Sequence, residues 1–279
     1  MSGALTSEAV FRLSAFIAVF AGMALWEMLA PRRSLRLPKR ARWTANLSLV
    51  ALNTLILRLL FPAAGVGAAA LAADRGWGLL ALVDLPVWAA VLLSLLILDL
   101  AVYLQHVVFH AAPTLWRLHL VHHADLDFDV TTGLRFHPIE IVLSMLLKVT
   151  VVTALGAPVF GVLVFEVLLN ATSMFNHGNV RMPADLDRIL RAVLVTPDMH
   201  RVHHSMLRHE TNSNFGFCLS WWDRLLGTYR AQPMAGHEGI TIGIEQLQDA
   251  RNQTLGWLLR LPAVAAPGPY PIGTRGAAR

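Results

Sequence analysis

Apolar residues fill long stretches of the chain, and the polar residues between them come in short, ordered groups. The first apolar run is Ala9–Ala30, interrupted by Arg12 and Glu27. The second is Leu47–Ala73, with Arg58 and Pro62 inside it, and the third is Leu79–Val108, carrying Asp84, Pro86 and Asp99. The fourth, Ile139–Phe175, is too long for one simple span and is broken by Gly156-Ala157-Pro158, residue types that punctuate turns. At 1.5 Å of rise per residue each half reaches about 25 Å. That predicts a short helical hairpin, spanning or re-entrant. The first run lacks the basic start and small-residue cleavage site of a signal peptide, so it reads as a retained span. After Asn176 the chain turns polar and mixed. Leu186–Val195 and Thr196–His204 predict short amphipathic helices, and Leu255–Leu261 another lying at the membrane interface. Ala265–Arg279, rich in Pro, Gly and Ala, is expected to fray. The fold class expected is all-α: multi-span membrane helices with a helical cap.

Composition agrees. Of 279 residues, 55% are hydrophobic and only 15% charged, against about 25% charged in soluble domains; mean hydropathy is +0.52. An ordinary soluble globule and a disordered chain are both excluded. The single cysteine, Cys218, excludes an intrachain disulfide and any Cys-rich zinc or iron–sulfur site. The net charge of +5 is concentrated rather than spread. Arg32, Arg33, Arg36, Lys39, Arg40 and Arg42 crowd into Pro31–Trp43 with no acid among them. This reads as a cytoplasmic loop obeying the positive-inside rule, not as a nucleic-acid site. Counting crossings from that loop, the second run leads out, the third leads back, and the hairpin crosses an even number of times. Everything polar from His106 onward then faces the cytoplasm.

That polar part holds eleven of the 12 histidines, between His106 and His209. Three clusters stand out: His106-x3-His110, His119-x2-His122-His123 and His200-x2-His203-His204. Spacings of three and four place side chains on one face of a helix, so each cluster aims two or three imidazoles one way. Imidazole suits iron, zinc, copper or nickel. At this histidine frequency about 0.02 HxxHH strings are expected by chance, counted as matches to a template, and two are present. Eight clustered histidines exceed the three or four protein ligands of one zinc site, so a two-metal centre is the economical reading. His177, in Asn176-His177-Gly178-Asn179, is a candidate ninth ligand. His137 is either a ligand or the start of the hairpin helix. Asp99 shares a helix face with His106 and His110; it either orients a ligand histidine or packs helices. Glu140, Asn176, Asn179 and Asp198 are further candidates beside the metals. His209 and His237 read as surface residues. Lys148 and Glu166, on opposite arms of the hairpin, are expected to pair.

The order HxxxH, HxxHH, HxxHH resembles the fatty acid hydroxylase / sterol desaturase superfamily of integral-membrane di-iron oxygenases. The resemblance continues through Thr131-Thr132-Gly133-Leu134-Arg135-Phe136-His137-Pro138, Asn176-His177-Gly178-Asn179 and Asn214-Phe215-Gly216. It closes on Trp222-Asp223-Arg224-Leu225-Leu226-Gly227-Thr228, covering roughly residues 90–230. It implies two Fe ions, O2 and a lipid or sterol-like substrate drawn from the bilayer, with hydroxylation of an unactivated C–H bond. It also implies that His106, His110, His119, His122, His123, His177, His200, His203 and His204 are ligands. Desaturation or ether-lipid oxygenation would use the same ligand set. A membrane metal-binding or transport protein is the alternative from another class, but transport sites usually sit at the bilayer midplane, and most of these histidines follow the spans. No Gly-rich dinucleotide fingerprint, cysteine cluster or His-Pro-Gly-Gly string is present, so electrons are expected from a separate reductase, ferredoxin or pterin. The organisation expected is 1–80 as membrane spans with the basic loop, 81–232 as the hydroxylase-like catalytic domain and 233–279 as an interfacial helix and tail.

Overall fold

The computed structural model describes residues 2–272, and their regular elements are all helical; extended backbones meet only as isolated bridges such as Pro31 with Val180. Helices α1 (Ser2–Leu29), α2 (Lys39–Leu60), α3 (Ala64–Arg75) and α4 (Val87–Ala111) are followed by a shorter α5 (Pro113–His123). The hairpin α6 (Pro138–Leu155) and α7 (Val159–Asn176) comes next, then α8 (Ala184–Leu190) and α9 (Pro197–His203). A C-terminal helix, Leu255–Val264, closes the described chain. Five segments are long and apolar enough to cross a membrane. Their outer faces expose large apolar side chains such as Leu29, Leu59 and Val87, as lipid-facing helices do.

The helix boundaries have local causes. Proline occupies the first turn of α5, α6 and α9, where its missing N–H costs nothing. Thr196 caps α9 by accepting from Met199 N. At the hairpin turn Gly156 adopts φ +69°, and Gly78 presses against it so closely that a Cβ on Gly78 would lie 2.1 Å from Gly156 N.

Two details sharpen the expectation here. The run Leu47–Ala73 is not one helix, because Pro62 cannot continue the hydrogen-bond ladder, and α3 starts afresh at Ala64. The two pieces together run from the histidine end to the far turn of the hairpin. Asn53 of α2 donates to Phe136 O at the histidine end, Gly65 of α3 lies against Glu166 and Lys148 midway along the hairpin, and Gly78 meets Gly156 at the far turn. The C-terminal part, secondly, is not peripheral. Leu258 and Leu261 are buried with Trp116, Leu49 and Tyr270, each such side chain contributing about 1.5–3 kcal/mol. Nor does the segment expected to fray do so from 265 to 272: Trp116 Nε1 donates to Pro267 O and Asn212 Nδ2 to Tyr270 O. Residues 273–279 lie outside the described residues.

The basic stretch is also partly structural. Lys39–Trp43 is already helix α2, and Arg42 is fully buried. Its guanidinium forks onto Asp125 (2.6 and 2.7 Å) and reaches Asp129 (2.6 Å). Burial alone would raise the Asp125 pKa; Arg42 and Arg135 outweigh it and hold that carboxyl well below the usual carboxylate range. Asp127 accepts from the amides of Arg36 and Leu37. The loop after α5 is thereby tied to the basic loop, and both lie at the histidine end of the bundle.

Candidate metal centre

Four elements deliver nine histidines to one buried layer: the last turns of α4 (His106, His110), helix α5 (His119, His122, His123), the C-cap of α7 (His177), and α9 with its C-cap (His200, His203, His204). They sort into two groups. His106, His110, His119, His123 and His203 form one, and His122, His177, His200 and His204 the other; within each, the candidate ligand atoms lie within 4.8 Å of one another. Helical geometry explains the sorting. Residues four apart stay together, as in 106/110, 119/123 and 200/204, while the residue three along, His122 or His203, turns to the other group. Each HxxHH therefore serves both groups.

The inner nitrogens approach closely. Nε2 of His106 is 3.0 Å from that of His119, and Nε2 of His110 is 3.1 Å from that of His123. In the second group His177 Nε2 lies 3.1 Å from His122 Nε2 and 3.2 Å from His204 Nε2. With metal–nitrogen bonds of about 2.1 Å, ligands at right angles stand about 3.0 Å apart and tetrahedral ones about 3.4 Å.

The outer nitrogens differ between groups. In the five-histidine group, His106 Nδ1 faces Phe215 O (2.7 Å), His203 Nδ1 faces Ser213 O (2.7 Å), His110 Nδ1 faces Asn212 Oδ1 (3.0 Å) and His119 Nδ1 faces Glu140 Oε1 (2.6 Å). Acceptors at Nδ1 fix the tautomer that offers Nε2 to a metal. In the four-histidine group, among the described residues, only His177 has such an acceptor, Ser173 O at 2.8 Å. The buried Nδ1 atoms of His122, His200 and His204 have no partner, nor do Nε2 of His200 and His203. Unsatisfied buried polar atoms cost about 1–3 kcal/mol each, which metal coordination relieves at the inner nitrogens.

Burial lowers the pKa of His119 and of His177 to about 3. Burial, followed by mutual repulsion among the imidazoles, takes His122, His123, His200, His203 and His204 well below 6.5. All seven are neutral at pH 7, the form that binds metal. The residues present therefore fit a pair of metal ions.

The remaining candidates fall elsewhere. Glu140 belongs to the centre through His119. Asp99 does not touch a histidine; it accepts from Cys218 N, Leu219 N and Trp222 Nε1 and fixes the loop below the site. His137 is the N-cap of α6, facing Ile139 N and, through Nε2, Leu259 O. Asn176 donates to Phe217 O, and Asn179 pairs with the backbone of Arg33. Asp198 binds Arg201 and Arg32. His237, read as a surface residue, is buried 3.6 Å from Asp198, and burial lowers its pKa to about 4. Lys148 and Glu166 do pair, at 3.0 Å.

Sequence reasoning missed the supports. Asn212–Phe215 supplies three of the acceptors that hold the five-histidine group. Asp223 accepts from Phe215 N (2.7 Å) and Gly216 N (2.9 Å), with burial lifting its pKa to about 6. Gly133 packs where a Cβ would lie 2.4 Å from Ser173 O and 3.0 Å from His177 Nδ1. The strings Asn214-Phe215-Gly216 and Trp222-Asp223 were the available signal, but backbone acceptors leave no side-chain signature. A cavity of about 340 Å³ runs from His106, His119 and Glu140 down among α1, α2, α4, α6 and α7, walled largely by apolar residues such as Phe136, Leu98 and Phe165.

Residues 91–228 match the fatty acid hydroxylase family. The chain is similar to an ornithine lipid hydroxylase of Rhizobium tropici, 33% identical over 160 residues, which is 56% of this chain and 46% of that protein. It is similar to alkylglycerol monooxygenase of Homo sapiens, 26% identical over 160 residues (56% and 34% of the two chains). It also resembles cholesterol 25-hydroxylase of Rattus norvegicus, 27% identical over 165 residues (58% and 53%). The chain thus spans between about a third and about half of the length of these relatives. No solved structure shows significant similarity to it. The matched segment carries all nine clustered histidines, and it is this segment that belongs to the fatty acid hydroxylase family.

Proposed function

We propose that this protein is a membrane-bound di-iron oxygenase that hydroxylates a lipid or sterol-like substrate, with residues 81–232 as its catalytic unit. The observation that carries the reading is the joining of two features. Nine buried histidines lie in two groups, and an apolar cavity opens onto them from among the membrane helices. The nine are proposed as the residues that would hold two irons, one per group, with inner nitrogens 3.0–3.2 Å apart. Two irons held there supply O2-dependent oxidation of a C–H bond that acid–base chemistry leaves untouched.

The chain's own residues do the rest. Glu140 holds the Nδ1 proton of His119 and keeps its Nε2 turned inward. Phe136, stacked on His122 with ring centroids 4.5 Å apart, and Phe128, over His177 at 5.4 Å, keep water from the four-histidine group. The cavity walls orient a hydrocarbon segment toward His106 and His119. Desaturation and ether-lipid oxygenation remain open to the same site, and the product decides among them.

The histidine end is proposed to face the cytoplasm, where a separate reductase, ferredoxin or pterin delivers electrons. The basic loop is proposed to mark topology rather than to dock the donor, because Arg32 and Arg42 are spent on Asp198, Asp125 and Asp129. The test is iron analysis of the purified full chain together with lipid profiling of cells with and without it, under O2. Two irons per chain and an O2-dependent oxygenated lipid are expected. An unchanged lipid profile with altered metal uptake overturns the reading in favour of a transport protein.

A further inference from the structure

At the membrane end of the cavity, away from the histidines, three charged side chains meet. Glu166 of α7 is buried, with 1% of its side chain exposed. It accepts from Lys148 of α6 at 3.0 Å through Oε1 and faces Arg12 of α1 at 2.8 Å through Oε2. Arg12 also meets Glu8, at 3.0 Å. Charges within a span are costly and, when kept, mark a functional interior site. Their arrangement is asymmetric. Arg12 and Lys148 line the main cavity, whereas Glu166 stands behind them. It is backed by Gly65 of α3, where a Cβ would lie only 2.9 Å from Glu166 Oε1. One carboxylate thus props two cations forward, and Glu166 takes only one of the three donors of the Lys148 ammonium.

Lys148 and Glu140 are eight residues apart on α6, roughly 12 Å along its axis. The cavity wall is mostly apolar; of its neutral polar members, Gln105 and Ser144 satisfy each other at 3.1 Å, and Asn53, Asn170 and Ser173 donate to the backbone carbonyls of Phe136, Glu166 and Gly133. We propose that Lys148 and Arg12 form a subsite for an anionic oxygen group, a carboxylate or a phosphate, on an acidic lipid. A lipid so anchored reaches the histidine end with its hydrocarbon, and the distance from Lys148 to Glu140 sets which carbon lies there. This rests on the cavity being the lipid site of the oxygenase proposed above.

The test is binding of three single-chain probes to the full-length protein in nanodiscs, without O2: palmitate, hexadecyl phosphate and neutral methyl palmitate. At least one acidic probe is expected to bind tenfold or more tightly than the ester, and which of the two does so identifies the anion. Lys148→Met is expected to abolish the preference and Lys148→Arg to keep it. Glu166→Gln, which frees Lys148 and leaves Arg12 paired with Glu8 alone, is expected to widen it. Equal affinity of the unaltered protein for all three probes overturns the proposal. So does a preference that Lys148→Met and Glu166→Gln move in the same direction, as loss of a merely structural ion pair would. The binding readout needs no turnover, so failure of the oxygenase reading shows separately, in the iron content.

Discussion

The two histidine groups are built from the same motifs yet supported differently. In the five-histidine group four outer nitrogens face protein acceptors, three from the single stretch Asn212–Phe215 and one from Glu140. In the four-histidine group only His177 is so held, and by its own helix; His122, His200 and His204 have unpartnered buried Nδ1 atoms and aromatic rings for neighbours. One group is oriented before any metal arrives. The other is held mainly by ring packing. Outer partners of this kind are worth about 10–100-fold in metal affinity, so the five-histidine group is expected to be the tighter site and the four-histidine group the exchangeable one.

The largest effects break one group at a time. His203→Ala removes a ligand of the first group and His122→Ala one of the second. Each is expected to abolish product formation and to lower iron from two to about one per chain by metal analysis. Full loading with retained turnover in both would refute the assignment. Glu140→Gln should follow, weakening iron at the five-histidine group by about 10–100-fold in a chelator competition while the second iron is unaffected.

Lowering the pH should act on both groups. In the unfolded chain imidazoles take up protons near pH 6.5; in the folded chain His119 and His177 resist until about pH 3. Below 6.5 the unfolded state therefore binds more protons. This term leaves stability intact above pH 6.5 and erodes it as the pH falls toward 3. The Tm of the metal-free protein should drop between pH 7 and pH 5; a constant Tm contradicts the burial of neutral histidines. The smallest effect on metal is expected from Asp99→Asn. Its carboxylate serves Cys218, Leu219 and Trp222, so iron affinity stays unchanged while a modest loss of Tm records the loosened loop. A weaker iron site would return Asp99 to the metal's surroundings.

How far the sequence carried depends on what leaves a pattern in it. Hydropathy located the five candidate spans, because a membrane demands length and apolarity of each residue run. It also marked Pro62 inside the run Leu47–Ala73, the place where α2 ends and α3 starts afresh. Histidine spacing marked the residues that now form the two groups, since ligands must be particular side chains at helical intervals. It did not reveal how the groups divide, because that depends on how α4, α5 and α9 pack. Asp99 shared a helix face with His106 and His110, yet its carboxylate turns to a loop more than a hundred residues away. The arginine of the basic loop that matters most to the fold, Arg42, looked like any other topological charge. Only the fold brings it to Asp125 and Asp129, where removing it would strip two buried carboxylates of the cation they share, at a cost of about 3–5 kcal/mol.

The central claim is that nine histidines hold two irons in two unequal sites. Anaerobic titration of the metal-free full chain with Fe(II), followed by Mössbauer spectroscopy, tests it most directly. The account predicts saturation at two irons per chain, with the first equivalent filling the five-histidine site, so that Glu140→Gln alters the first-bound signal and His122→Ala removes the second. Saturation at a single iron, or two irons bound with equal affinity and equal response to both substitutions, would contradict it.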